Sequence, residues 1–148
     1  MRMIDVGEKE RTHRIAVATG AVRLAPETLE RVAEGRIEKG DVLATARLAA
    51  IMAAKRTPDI VPLCHPIALT AVEPALEIDR AASAVVVRVR VETRDRTGVE
   101  MEALTAVSAA CLTIYDMCKS LDPAMTIEAV RLESKSGGKS GDWVRAGA

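Results

Sequence analysis

Two stretches of the chain alternate apolar and charged residues with a period of two, which is typical of strands with one buried face. Residues 84–94 place valine at every second position from Val85 to Val91, and residues 70–79 repeat the pattern around an edge-tolerant Pro74. We therefore predict that the two strands pair as a hairpin. Opposite charges on their outer faces would support this pairing, although a solvated face fully explains those charges.

Helical spacing of apolar residues predicts three helices in the rest of the chain. Pro26 suits the first turn of one helix, and Gly35 should end it. Asp41 is a good N-cap for the second helix, and Pro58 should prevent its continuation. The three predicted helices cover residues 26–34, 42–55 and about 99–120.

Strands are also predicted near the two ends of the chain, at residues 15–24, where Gly20 would mark a bulge, and at residues 126–133. Residues 134–148 are rich in Gly, Ser and Lys and are predicted to form a flexible, loop-like tail. The resulting order of elements indicates an α+β fold in one domain spanning residues 1–148. We expect a ferredoxin-like antiparallel sheet with helices on one face and one extra helix.

The composition limits the classes of partner. Apolar residues make up 49% of the 148 residues, but with no Phe, one Trp and one Tyr the core must be built from small side chains, which favours further burial between subunits. Lys plus Arg and Asp plus Glu each number 21, so overall charge gives no argument for nucleic acid or an anionic membrane. Because its core is built from small side chains, we expect the chain to form an oligomer. Because the sequence has no long apolar run and no signal-like start, we expect it to be cytoplasmic.

Cysteine spacing and glycine spacing argue against two common kinds of site. Cys64, Cys111 and Cys118 include no Cys-x-x-Cys pair, so we expect neither a disulfide framework nor a structural zinc site. No cluster of metal ligands has the usual spacing, and we expect no bound metal or other cofactor. A P-loop would need its first glycine at position 133, where the residue is Glu133.

The loop around His65 is the first candidate for chemistry. Two prolines make the segment at residues 61–66 non-helical and predict a stiff, extended loop in which Cys64 and His65 point to opposite sides. A fixed imidazole can bind phosphate or transfer a proton near neutral pH. Capping a turn is an equally strong alternative for this histidine.

The longest predicted helix contains the second candidate. Asp116 and Lys119 are three residues apart and lie on the same side of the helix, either as a surface ion pair or as an acid/base pair. Glu100 and Glu102 at the other end are explained by the favourable helix N-terminus. The fourteen residues from Glu102 to Asp116 span about 21 Å, so one reacting atom cannot touch both carboxylates. A shared site would need a long ligand or a second subunit.

Five ordered motifs together resemble the cyclic pyranopterin monophosphate synthases, the molybdenum cofactor biosynthesis protein C family. The motifs are KGDVLATAR at 39–47, LCHP at 63–66, GVEMEAL at 98–104, IYDMCK at 114–119 and KSGGKSGD at 135–142. The resemblance implies a lyase that converts 3′,8-cyclo-7,8-dihydroguanosine 5′-triphosphate to cyclic pyranopterin monophosphate and releases pyrophosphate. It also implies a ferredoxin-like homohexamer, a trimer of dimers, with active sites between subunits.

The same resemblance assigns roles to individual residues. Asp116 and Lys119 would be catalytic acid/base groups, and Lys39 would be an essential lysine that arrives from a neighbouring subunit. A lysine whose pKa is lowered by burial and positive neighbours would transfer protons during the ring rearrangement. The residues implied in binding the phosphates, the ribose and the base are Leu63, Cys64, His65, Glu100, Met101, Glu102, Arg14 and Lys135.

Two other classes of function remain open from the sequence. A non-catalytic oligomer that senses nucleotides would use the same basic groups only to hold a triphosphate. A structural assembly module would have no affinity for nucleotides. Incubation with the substrate separates these alternatives from the enzyme, because a sensor would bind without releasing pyrophosphate.

Overall fold

The computed structural model describes residues 1–147 and has an α+β fold, as the sequence predicts. Within these residues, five strands form one antiparallel sheet in the order β2-β3-β1-β4-β5. Four helices accompany the sheet. The elements are β1 (Thr12–Arg23), α1 (Pro26–Ala33), α2 (Val42–Lys55), α3 (Thr57–Ile60), β2 (Leu69–Asp79), β3 (Ala84–Asp95), α4 (Glu100–Cys118), β4 (Thr126–Ser136) and β5 (Trp143–Val144).

The predicted helix boundaries are confirmed at several capping residues. The side chain of Asp41 accepts a hydrogen bond of 3.0 Å from the backbone N–H of Ala44, so it caps α2. Pro58 does end α2, but it also fits the first turn of α3, a four-residue helix that the sequence analysis did not predict. Proline is compatible with that position because a first-turn N–H has no partner within the helix.

The hairpin of β2 and β3 is confirmed. The four alternate valines, Val85, Val87, Val89 and Val91, are fully buried. Glu73 lies opposite Arg90 with their charged atoms 3.3 Å apart. Because β2 is an edge strand, Pro74 removes no hydrogen bond that a second neighbour would need. On the outer face of the hairpin, charged side chains therefore interact across β2 and β3 as well as with solvent.

The core lies between one face of the sheet and helices α2 and α4. Gly20 on β1 lies directly under α4, where an added Cβ would be 2.7 Å from the Cγ1 of Val107. The predicted bulge is confirmed, although the extra residues belong to β4, where Ala129 adopts a φ of 54°. Small side chains let α2 and α4 pack closely: Ala46, Ala50, Ala54, Ala103, Ala106 and Ala110 are all buried.

The prediction of a loop from residue 134 onward is wrong for two segments. Strand β4 continues to Ser136, and after a turn the chain returns as β5, which pairs Trp143 with Lys135. The backbone N–H of Arg145 also donates to the carbonyl of Glu133 at 2.8 Å. Glycine and serine content indicated a loop because composition does not show that a short return strand can pair with an available edge.

Helix α4, with 19 residues, is long and apolar enough to resemble a membrane-spanning helix. Half of its most apolar stretch is buried inside the fold. The helix packs on β1, β3 and β4 and against α2. Its apolar character is therefore explained by its position as the central core helix.

Candidate active site

Three predicted catalytic residues meet at the C-terminal end of α4. The Nζ of Lys39 donates to Oδ2 of Asp116 at 2.8 Å, and the Nζ of Lys119 donates to Oδ1 of the same carboxylate at 2.7 Å. Lys39 also donates to the main-chain carbonyl of Asp116 at 3.2 Å. We call these three residues the lysine–aspartate triad.

The triad corrects the expected origin of Lys39. The sequence analysis expected this lysine to come from a neighbouring subunit, but its ammonium reaches Asp116 of its own chain. The turn between α1 and α2 places Lys39 beside the end of α4, a proximity that sequence separation does not reveal. One chain therefore assembles the whole triad.

The groups of the triad are charged at neutral pH, with a negative carboxylate bonded to positive lysines. Hydrogen bonds from Lys119 and then Lys39 lower the pKa of Asp116 from 3.8 to about 2, so its carboxylate is ionised. The same carboxylate raises the pKa of Lys119. The expected lowering of an amine pKa is wrong for Lys119, because its half-exposed ammonium lies next to a negative charge rather than in an apolar pocket. Lys119 is therefore held as an ammonium in this arrangement.

A cavity of about 720 Å³ adjoins the triad. Arg31, Arg36 and Ser120 line it together with Lys39. The sequence analysis did not select these arginines, because Glu34 and Glu38 in the same stretch hide the basic residues in the charge pattern. Glu38 also lines the cavity, so three cations and one carboxylate give it a net positive lining, which favours an anionic ligand.

A second pocket, of about 270 Å³, lies at the N-terminal end of α4. We call it the His65 pocket. Its loop is closed by a 3.1 Å hydrogen bond from the N–H of Cys64 to the carbonyl of Val61, so this part is a turn rather than an extended segment. Cys64 and His65 both contribute to the wall. The lining is Val61, Leu63, Cys64, His65, Thr97, Gly98, Glu100 and Met101.

Glu102 lies buried beside the His65 pocket, with 2% of its surface exposed. Its Oε1 accepts a hydrogen bond from the thiol of Cys64 at 3.5 Å, while its Oε2 is buried without a partner among the described residues. Burial raises the pKa of this carboxyl, and burial and the nearby Glu102 raise the pKa of the Cys64 thiol to about 11. The capping explanation therefore fails for Glu102, which points inward.

Lys135 and Arg14 lie at the sides of this second region. The Nζ of Lys135 is 3.2 Å from Oε1 of Glu100, which lines the His65 pocket. The guanidinium of Arg14 donates to the carbonyl of Arg96 at 3.2 Å and borders a separate cavity. Within residues 1–147, no group of three or more His, Cys, Asp or Glu side chains could hold a metal ion.

The structure thus forms two groups of predicted site residues. The lysine–aspartate triad is one group, and the His65 pocket with Glu102 and Lys135 is the other. They occupy opposite ends of α4, about 21 Å apart along the helix axis at 1.5 Å per residue from Glu102 to Asp116. No described contact joins the two groups within one chain.

Comparison of the sequence with known proteins shows which family the chain belongs to. The model of the MoaC family matches residues 3–138. This chain belongs to the MoaC family. It is similar to proteins named cyclic pyranopterin monophosphate synthase from Roseiflexus sp. (strain RS-1), with 62% identity over 97% of this chain and 90% of the relative. Proteins of the same name from Thermomicrobium roseum and Brucella ovis are each 58% identical, covering 97% and 95% of this chain and 87% and 86% of their own lengths.

The MoaC family match covers both ends of α4 and all of the predicted site residues, from Arg14 to Lys135. The resemblance drawn from the five motifs is therefore confirmed. The match ends at residue 138, so it leaves out Lys139 and strand β5.

Proposed function

We propose that this chain is a cyclic pyranopterin monophosphate synthase of molybdenum cofactor biosynthesis. The reaction would convert 3′,8-cyclo-7,8-dihydroguanosine 5′-triphosphate to cyclic pyranopterin monophosphate and release pyrophosphate. The relatives of this name are 58–62% identical over nearly the whole chain. In the structure, the observation that carries the proposal is the carboxylate of Asp116 held between the ammonium groups of Lys39 and Lys119.

The triad would supply acid/base chemistry for the ring rearrangement. Lys119 enters the reaction as an ammonium, because Asp116 raises its pKa, and can give a proton to a nitrogen or oxygen of the ring system. The hydrogen bond from Lys119 to the Asp116 carboxylate would hold the Lys119 amine in a fixed orientation during this transfer. Lys39, bonded to the other carboxylate oxygen, can serve as the second proton carrier.

The His65 pocket would bind the substrate. Leu63, Cys64 and His65 form one wall, and the side formed by Glu100 and Met101 would contact the base. The expected contact of Glu102 with the base would be indirect, through the thiol of Cys64, because Glu102 is buried and does not line the pocket. Closure of the cyclic phosphate displaces pyrophosphate, and His65, Arg14 and Lys135 would stabilise the charge that develops on this leaving group.

We also propose that the chain works as a ferredoxin-like homohexamer, a trimer of dimers, in the cytoplasm. Exposed apolar side chains on α2 and α4 support burial between copies: Leu48 and Leu112 are each 60% exposed and Met52 is 42% exposed. The length of α4 between the two groups of site residues supports a site that two copies complete. The chain would act as one domain.

The decisive experiment incubates the purified protein with the cyclic dihydroguanosine triphosphate and measures both pyrophosphate and the pterin product. Equal amounts of the two products are expected. Binding without pyrophosphate release would instead indicate a nucleotide sensor, and absence of binding would indicate a structural module. A monomeric mass by light scattering, together with full turnover, would contradict the shared site without affecting the assigned reaction.

A further inference from the structure

The turn that follows α4 is bonded both to α4 itself and to the start of α1. We call residues 119–125 the α4 turn. The N–H groups of Leu121 and Asp122 both donate to the carbonyl of Cys118, at 2.9 and 3.1 Å, so the chain turns immediately after the helix. Two side chains that have no role so far, those of Tyr115 and Asp122, join this turn to the neighbouring elements.

Tyr115 bonds the last turn of α4 to the α4 turn. Its ring packs against the core, and its hydroxyl donates to the carbonyl of Pro123 at 2.9 Å. The bond closes a loop of the chain that contains both Asp116 and Lys119. Lys119 lies at the C-terminal end of the helix, where the last carbonyls lack helical partners and the chain frays readily. The tyrosine therefore restrains the helix end that carries the Lys119 side chain.

This restraint acts on the same face of α4 as the triad lysine. Tyr115 and Lys119 are four residues apart, which places them next to each other on the helix surface. A lysine side chain has many rotamers, and it loses that freedom when its Nζ is held 2.7 Å from the Asp116 carboxylate. A mobile helix end would increase this cost and lengthen the bond.

Asp122 bonds the α4 turn to the residue that precedes α1. Its Oδ2 accepts a hydrogen bond of 2.8 Å from the backbone N–H of Ala25. Ala25 is the N-cap of α1 and has no polar side chain with which to cap the helix. A carboxylate at a helix N-terminus is also favoured by the helix dipole. Asp122 therefore supplies from the end of α4 the cap that the local sequence of α1 lacks.

A second polar contact of α1 leads away from the triad. The Nε of Arg80 donates to Oε1 of Glu30 at 2.7 Å, which connects α1 to the turn between β2 and β3. Both side chains are largely exposed, and exposed ion pairs contribute little to holding a structure together. The bond to Asp122 is therefore the polar contact that sets α1 relative to α4.

The position of α1 is passed on to Lys39 because the loop between them is closed by its own hydrogen bonds. The N–H of Arg36 donates to the carbonyl of Arg31 at 2.8 Å, and the N–H of Gly40 donates to the carbonyl of Ile37 at 3.0 Å. The side chain of Ile37 is buried. A shift of α1 would therefore move Lys39 instead of being absorbed by the loop.

We propose that Tyr115 and Asp122 are positioning residues of the lysine–aspartate triad. Tyr115 holds Lys119 on the shared carboxylate, and Asp122 holds Lys39 there through α1. The importance of these residues for turnover rests on the proposed function, since displacement of a catalytic group by about 1 Å can cost about 100-fold in rate. The positioning itself does not depend on which reaction the triad catalyses.

Carbon-detected NMR of the Asp116 carboxyl tests the positioning without substrate. The pKa of Asp116 is about 2 because both lysines donate to it. Tyr115→Phe and Asp122→Ala should each raise this pKa towards 3.8, the ordinary value, because each loosens one donor. Asp122→Asn keeps an oxygen that can accept from the N–H before α1, so it should restore the titration of the wild type.

Turnover provides a second measurement. The substrate would bind in the His65 pocket at the other end of α4, so loosening the triad should affect the chemical step more than binding. Tyr115→Phe and Asp122→Ala should therefore lower kcat by about 10–100-fold and leave KM unchanged. Asp122→Asn should keep a kcat near that of the wild type. Pyrophosphate release at several substrate concentrations gives both constants.

Two variants remove matched groups away from the α4 turn. Thr113→Ala removes another hydroxyl of α4, which donates to the carbonyl of Ala109 at 2.8 Å. Asp79→Ala removes a carboxylate that accepts from the N–H of Ala82 at 2.9 Å, in the turn between β2 and β3. Both controls should leave the titration of Asp116 and kcat unchanged.

A second variant breaks the bond to α1 from the other side if Asp122→Ala does not fold. Ala25→Pro removes the same N–H, and the φ of −61° at Ala25 already suits proline. This variant should shift the titration of Asp116 in the same direction as Asp122→Ala.

A wild-type titration of Asp116 and a wild-type kcat in Tyr115→Phe and in the variant that breaks the bond to α1 would overturn the proposal. Equal shifts in the two control variants would also overturn it, because they would show a general loosening of the fold. A protein that forms no product, but whose variants still shift the titration, would remove the proposed function and leave the positioning role. Normal turnover with an unshifted titration would remove only the positioning role.

Discussion

Two of the three carboxyl groups on helix α4 lie in opposite environments, Asp116 near its C-terminal end and Glu102 in its first turn. The Asp116 side chain is 53% exposed and is bonded to two ammonium groups, which lower its pKa to about 2. Glu102 is 2% exposed, has only a thiol as side-chain donor, and has a raised pKa because it is buried. One helix thus holds one ionised carboxylate and one carboxyl that retains its proton more strongly. Such separation of pKa values is how folds assign acid and base roles.

The helix dipole acting alone would have shifted the two pKa values in the opposite directions, lowering that of Glu102 and raising that of Asp116. It favours negative charge in the first turn, at Glu102, and disfavours it in the last turn, at Asp116. Its contribution near an exposed helix end is only about 0.3–1 kcal/mol, less than the cost of burying a carboxylate without donors. Local partners and burial therefore decide the protonation of both groups, and position along the helix does not.

The largest expected effect is on turnover, and it comes from the exposed lysine–aspartate triad at the C-terminal end of α4. Lys119→Ala should reduce turnover by about 10²–10⁴-fold, since it removes the ammonium that we assign as proton donor. The fold should remain intact because the side chain is half exposed. Pyrophosphate release measures the loss, and Lys55→Ala, at the C-terminal end of α2, is the control for a removed lysine. Unaltered product formation by Lys119→Ala would remove its catalytic role.

At the N-terminal end of α4, beside the buried Glu102, the thiol of Cys64 should react slowly with alkylating reagents. With its pKa raised from 9.0 to about 11, Cys64 should have about 100-fold less thiolate at pH 7 than an ordinary cysteine, and should be alkylated correspondingly slowly. Mass spectrometry of the peptide containing Cys64 after iodoacetamide treatment gives the rate. Glu102→Gln should increase the rate, because the carboxylate contributes to the raised pKa. Alkylation as fast as that of free cysteine would contradict the buried environment of this end.

The smallest expected effect compares the two carboxyl groups directly. The folded state raises the pKa of Glu102, so the protein should lose stability as pH rises through 4.5, the ordinary value, towards the folded value. Glu102→Gln removes this loss and should add about 1 kcal/mol at pH 7, or about 2–4 °C in Tm, but nothing well below pH 4.5.

Asp116→Asn is the matched control for that substitution. Its carboxylate is exposed and paired, and exposed ion pairs contribute little to stability, so Tm at pH 7 should not change measurably. Differential scanning calorimetry at pH 7 and in acid compares the two variants. A larger change in Tm for Asp116→Asn than for Glu102→Gln would reverse the comparison.

Sequence patterns predicted most of the fold because the deciding interactions are local. The capping of α2 by Asp41 and the pairing of β2 with β3 depend on residues that are near one another in the chain. Strand β5 was missed because its pairing partner, Lys135, and the turn at Gly137 and Gly138 form a contact that composition does not reveal.

The candidate site was predictable as a set of residues but not as an arrangement. The motifs identified Lys39, Asp116 and Lys119, yet the sequence analysis placed Lys39 in another subunit and expected an amine with a lowered pKa. The pairing of Cys64 with Glu102 was also not foreseen. Hydrogen-bond partners and burial, which set pKa values, depend on distances between residues that are far apart in the sequence.

The sequence by itself determined the family, the α+β class and the identity of the groups that can carry charge, because side-chain chemistry and short-range periodicity are properties of the chain alone. The tertiary structure decided which of those groups meet, which one is buried, and therefore that the pKa of Asp116 is lowered while that of Glu102 is raised. The physical reason is that the energy of a charge depends on its solvent and its partners, and only the folded chain brings Lys39 to Asp116 and covers Glu102.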